Sequence, residues 1–188
     1  MLYKFSWLTF ILLLETSLSS YCSAESLITM NGSIIETACS IDINSKDQTI
    51  EMGSLSISQI TRDGQSNART FSIKLINCVL ERPESKKPNW QYFTITFDGV
   101  HNGSLFTTNG QAEGIGIEIN STSGEVVYPG KAMSSQELTD GTRNLNYKLR
   151  IKRNNKSLKS GNYFGLIKYK LDYEWYKKQL YPHEHFSK

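Results

Sequence analysis

The stretch GNYFGLIKYKLDYE at residues 161–174 constrains the fold most. Tyr163, Gly165, Ile167, Tyr169, Leu171 and Tyr173 fall on alternate positions, and from Lys168 onward the residues between them are polar. Side chains of a strand point alternately to its two faces, so this spacing predicts a strand with one buried face. Residues 175–188 carry no further strand pattern to pair with it. A domain that ends on such a strand has an apolar edge that something must cover. Function is therefore expected at an uncovered edge rather than in a pocket.

Shorter runs of the same kind recur upstream. Residues 32–41, 48–52, 70–79, 90–97, 114–119 and 145–151 all read as strands. Phe71, Ile73 and Leu75 share one face, as do Ile115, Ile117 and Ile119, and Leu145, Tyr147, Leu149 and Ile151. Turn signals separate them: DG at 63–64, 98–99 and 140–141, NG at 102–103 and 109–110, SG at 123–124, NN at 154–155. Residues 54–60 suit a short helical turn, and residues 81–89, with Pro83 and Pro88, a surface loop. Short strands at this spacing, without a long amphipathic helix, predict an all-β sandwich.

The first residues read differently. Lys4 precedes an apolar run over residues 5–14 and a small-residue stretch ending at Ala24. This predicts a secretory signal peptide over residues 1–24, whose apolar run is too short to span a membrane comfortably, with a membrane anchor as the weaker reading. The rest is expected to be exported and soluble. Cys22 leaves with the signal, so Cys39 and Cys78 form an even pair in an exported chain. That points to a disulfide, with two buried thiols as the alternative.

Net charge is +3, and nothing in its distribution argues for nucleic acid. The basic cluster Lys148, Arg150, Lys152 and Arg153 alternates with Leu149 and Ile151, as a solvated strand face does. Motifs for nucleophilic, nucleotide or zinc chemistry are absent. His183 and His185 have the spacing of a metal pair but no clear further ligand, and His101 reads as solvated. No catalytic, cofactor or metal site is expected. Four glycosylation-type triplets, at Asn31, Asn102, Asn120 and Asn155, keep a eukaryotic surface protein open as a weaker reading.

Taken together, GSIIETACSI at 32–41, QTIEMG at 48–53 and FSIKLINC at 71–78 resemble the first half of the chaperone–usher pilins of Gram-negative bacteria. The C-terminal match is tighter. Those pilins carry a glycine fourteenth from the end and a penultimate tyrosine. With Glu174 as the end of the domain, Gly161 and Tyr173 take those places. Within the family, ITFDGV at 95–100, GKAM at 130–133 and LNYKLRIKRNNK at 145–156 are most similar to the minor subunit that terminates and anchors P pili.

The resemblance implies an incomplete immunoglobulin-like β-sandwich that lacks its last strand, with a Cys39–Cys78 disulfide between neighbouring strands. A periplasmic chaperone, then the extension of another pilin subunit, lends the missing strand, a known mode of β-augmentation. An outer-membrane usher is the other partner implied. On this reading residues 25–31 are a short donor extension with Leu27, Ile28 and Met30 as plugs. Residues 32–174 are the pilin domain, and Gly161, Tyr163, Ile167, Tyr169, Leu171 and Tyr173 line the acceptor groove. Two features depart from the family pattern: the extension is short, and residues 175–188 follow the expected end. With Trp175, Tyr176, Leu180, Tyr181 and Phe186, that tail is expected either to modulate the groove or to be a functionless extension. The function implied is a minor fimbrial subunit that terminates a surface pilus or anchors it at its outer-membrane base, and contributes to adhesion. An ordinary shaft pilin, and a single-domain adhesin that binds a host glycan through loops such as 81–89, are the alternatives.

Overall fold

The computed structural model describes residues 27–84 and 86–176. The expected signal peptide, His183, His185 and the tail from residue 177 lie outside them. The chain divides into two units, Met1–Ile35 and Glu36–Lys188. In the first, residues 27–35 have no regular secondary structure, and Leu27, Ile28, Met30 and Ile34 are exposed.

The second unit is an incomplete immunoglobulin-like β-sandwich. Its longest strand, β9 (Gly141–Arg153), buries Leu145, Tyr147, Leu149 and Ile151 on one face. The opposite face carries Lys148, Arg150 and Lys152, and Glu118 of β7 (Ile115–Ser121) lies 2.9 Å from Lys152 and 3.9 Å from Arg150. The basic cluster is thus a solvated, partly paired strand face, as its alternation predicts. β9 sits between β2 (Arg69–Cys78) and β7. The sheet is completed by β1 (Ser40–Ile41) beyond β2 and by β5 (Leu105–Thr107) and β4 (His101–Asn102) beyond β7.

The second sheet has three strands in the order β11 (Lys168–Glu174), β3 (Tyr92–Asp98), β8 (Gln136–Glu137). Phe93, Ile95 and Phe97 of β3 face Ile73, Leu75 and Tyr147 of the first sheet in one core. Aromatic contacts join the layers, with Phe97 edge-on to Tyr147 at 5.0 Å. Each of these large buried side chains contributes about 1.5–3 kcal/mol by leaving water. Residues 126–138 cross from one sheet to the other. Val127 bonds back to Ile119, Met133 to Ile95 and Leu138 to the backbone of Gln91, and all three side chains are buried.

Two local devices shape the core's rim. Asn77 has φ 52°, and the β2–β9 register slips between Leu75 and Cys78. This bulge turns Cys78 inward, where strict alternation would have pointed residue 77. Cys78 is bonded to Cys39, and both are buried. Helix α2 (Ile57–Asp63) ends at Gly64, whose left-handed φ of 70° lets its N–H cap Ile60.

Several expected elements differ. Residues 48–52 form no strand, because no strand lies beside them among the described residues to pair with their backbone. Within 32–41 only β1 is regular, and the chain then turns through helix α1 (Ile43–Lys46). The helical turn expected at 54–60 is α2, slightly later. The NG pair at 109–110 is not a turn but strand β6 (Asn109–Gly110), paired with β10 (Tyr163–Phe164). The single strand expected over 161–174 is therefore two, because the chain leaves β6 at residues 165–167 before joining β3.

Candidate functional site

Among the described residues, β11 pairs with β3 along one edge only, from Lys168 opposite Asp98 to Glu174 opposite Tyr92. On its other side lies a groove of about 1260 Å³. One wall is residues 45–55, the other residues 161–169, and Phe71, Phe97, Ile117, Ile119, Leu149 and Ile151 form the floor. Among the described residues, the backbone of 49–55 makes no backbone hydrogen bond, nor does that of 165–167. The walls therefore present unused peptide donors and acceptors above an apolar floor. That combination fits an extended peptide, whose own backbone supplies the missing partners.

The tyrosine-rich strand behaves as a core face missing its cover. Tyr163, Ile167, Tyr169, Leu171 and Tyr173 pack against the core yet are only partly buried, whereas the equivalent positions on β9 are buried. Burial raises the phenols of Tyr163, Tyr169 and Tyr173 above the usual tyrosine range, so all three are neutral at physiological pH. The Tyr163 hydroxyl is buried without a hydrogen-bond partner among the described residues.

One end of the groove is tied across. The Tyr169 hydroxyl donates to the Ser45 carbonyl at 2.6 Å. Ser45 is held in turn by the Lys74 N–H at 3.0 Å, and Gln48 donates to the Ser72 carbonyl at 2.9 Å. Past this tie lie Leu171 and Tyr173. Tyr173 packs 6.1 Å from Trp90, and its hydroxyl reaches the Cys39 backbone. Trp90 carries the Arg82 guanidinium at 4.0 Å, and Arg82 makes a two-pronged pair with Glu36, both bonds 2.8 Å. The Arg82 side chain is thus pinned from both sides.

Of the six residues expected to line a groove, the structure brings Gly161, Tyr163, Ile167 and Tyr169 into it, while Leu171 and Tyr173 lie beyond the tie. Leu27, Ile28 and Met30 belong to the first unit. The opposite wall, with Ile50, Met52 and Leu55, was not singled out as a site. Its signal was the alternation at 48–52, read as an internal strand. Phe164 and Leu166, largely exposed, were also missed.

Gly161 has a steric reason to be glycine. A Cβ there would stand 2.5 Å from Gln111 Cβ and 2.7–2.8 Å from the backbone of residues 111–112. The close approach lets Gln111 bond to the Asn162 carbonyl at 2.8 Å.

Comparison with known proteins gives a consistent picture. The family described as Fimbrial protein matches residues 28–174. The PRS fimbrial minor pilin protein of Escherichia coli is 32% identical over 148 residues, 78% of this chain and 76% of that protein. Among solved structures, the P pilus rod subunit PapA superposes with a TM-score of 0.64 at 25% identity, over 73% of this chain and all of PapA. A chaperone–usher pilus studied for rod uncoiling gives the same score and identity over 82% of this chain and 99% of its subunit. These relatives are structural fimbrial proteins, not enzymes.

Proposed function

The chain belongs to the fimbrial protein family and is a pilin subunit of the chaperone–usher kind; from that premise we propose that its groove accepts a donor strand and that it is a minor subunit terminating or anchoring the fibre. The observation that carries the first part is the half-buried row Tyr163, Ile167 and Tyr169 above an open apolar floor. A periplasmic chaperone fills the groove first, and a neighbouring subunit replaces it in the fibre. Leu27, Ile28 and Met30 are the plugs this subunit offers in turn. Passage is through the periplasm, by way of an outer-membrane usher, to a fimbrium on the cell surface that contributes to adhesion.

The minor, basal role is supported by the likeness to a minor pilin and by the residues that continue past Glu174 directly from the groove strand. Folded back, residues 175–188 would compete with an incoming donor at high local concentration. Deleting them and following donor-peptide uptake by the chaperone-bound subunit tests this: uptake should quicken, and unchanged uptake removes the tail from the account.

A second reading, an ordinary shaft subunit, is favoured by the groove being open along residues 161–169 and by the likeness to a rod subunit. Counting subunits per fibre by mass spectrometry separates the two. One or a few copies support the minor role, and a stoichiometric excess supports the shaft.

A further inference from the structure

The dipeptide Asn-Gly occurs at residues 31–32, 102–103 and 109–110, and every residue of these pairs is exposed. Exposure does not separate the pairs; backbone freedom does. An asparagine side chain reacts with its own main chain when the nitrogen of the next residue swings onto its Cγ carbonyl. A following glycine, with no Cβ, puts least in the way. The swing needs rotation about the asparagine Cα–C bond, which a strand residue held near its extended dihedrals does not have. Asn102 is held in β4 opposite Leu105, and Asn109 in β6 opposite Phe164. Asn31 lies in neither strand nor helix. Among the described residues, the Gly32 N–H makes no backbone hydrogen bond. Apart from its chain neighbours, no atom stands within 4 Å of where a Gly32 Cβ would sit.

We propose that Asn31 is a site of spontaneous deamidation and that strand pairing of its segment protects it. The Gly32 nitrogen attacks Asn31 Cγ. A new C–N bond forms, the Cγ–Nδ2 bond breaks, and ammonia leaves with the proton from Gly32. One water then opens the cyclic imide at either carbonyl. Opening at one gives aspartate; opening at the other gives isoaspartate, whose main chain runs through Cβ. The balance is amide plus water to carboxylate plus ammonium, with no change of oxidation state. The consequence rests on the reading of residues 27–31 as a donor extension. Residues 27–35 carry no charged side chain, and either product adds a carboxylate, which is costly to bring against an apolar groove. Isoaspartate also lengthens the main chain by one atom. Leu27, Ile28 and Met30 then lose their register with Ile34. A segment already laddered to a groove has no such rotation and is spared. An extension left unpaired therefore loses its competence with time.

The test uses the full exported chain, stabilised by a co-expressed periplasmic chaperone and incubated at neutral pH. Peptide mapping by mass spectrometry follows the gain in mass of amide becoming acid, and enzymatic methylation marks isoaspartate. Residue 31 should convert about tenfold faster than residues 102 and 109. Gly32→Ala, which adds its methyl into open space, should slow the conversion about tenfold without moving Tm. Asn31→Gln should abolish it. Conversion at residue 31 no faster than at the two strand pairs overturns the proposal, as does a rate that Gly32→Ala leaves unchanged. Intact fimbriae from the same cells, incubated and mapped alongside, should keep the amide at residue 31. Equal conversion there overturns the protection, and with it the donor reading of residues 27–31, while fast conversion in the chaperone-held chain still establishes the modification site.

Discussion

At the scale of single residues, the disulfide and the buried tyrosine give the sharpest expectations. Cys39–Cys78 spans a sequence separation of 39 and ties the residue before β1 to the end of β2. Cys39→Ser should cost about 2–5 kcal/mol, read as lower yield from the periplasm and a lower melting temperature. Tyr147 supplies a pH dependence. Burial is the main cause that raises its phenol, helped by the Glu125 carboxylate and opposed by Arg143. The unfolded chain therefore loses this proton first, near the ordinary tyrosine value of about 10. Below that pH the stabilisation is fully present, and above it stability falls as pH rises. Urea melts of the donor-complemented subunit should show this fall, and Tyr147→Phe should make it shallower; an identical slope in the variant would remove Tyr147 as the cause. The cysteine pair was legible from the sequence because only two cysteines remain after the expected cleavage. The bulge at Asn77 that aims Cys78 inward was not. A positive φ at one asparagine leaves no mark on the alternation that precedes it.

At the scale of elements, legibility followed pairing. β2, β7 and β9 keep their alternation because each has a neighbour on the other side of the ladder that holds it. Residues 48–52 carry the same alternation but form no strand, since the strand they would pair with does not lie beside them. The pattern of a strand was present; its partner was not. The core segment 126–138 was invisible for a different reason. Val127, Met133 and Leu138 enter one at a time from a crossing with no period of two. Gly161 was identified by resemblance, and the structure supplies its cause in the approach of residues 111–112. Gly161→Ala should push β6 away from β10 and cost about 1–3 kcal/mol as an overpacked contact. Hydrogen exchange at Gln111, whose N–H bonds to the Asn162 carbonyl, reads this directly: faster exchange is expected, and unchanged protection would mean the contact relaxes without loss. On β11, Tyr173→Ala removes the ring against Trp90 and should weaken chaperone capture by about 3 kcal/mol. Co-purification yield with the chaperone measures it, and an unchanged yield would exclude this end of the strand from the docking surface.

At the scale of the whole molecule, the described residues form two main sheets of six and three strands and the short β6–β10 pair, with one strand too few to complete the sandwich. The first sheet has six strands, while beside the three-stranded sheet the stretch from β10 into β11 leaves Tyr163, Ile167 and Tyr169 half covered. The apolar floor and the walls at 49–55 and 165–167, unpaired among the described residues, are one feature seen from two sides. A strand laid between them would bury the floor and satisfy both walls at once. Stability is then a property of the complex, because a ligand that binds only the folded state raises stability with its concentration. The most direct measurement is thermal melting, by circular dichroism, of the exported chain freed of chaperone, with and without a saturating extended peptide of alternating apolar residues. A broad, low transition is expected for the chain alone and a sharp transition at much higher temperature with the peptide bound. A sharp, cooperative melt of the chain alone, unmoved by the peptide, would contradict it.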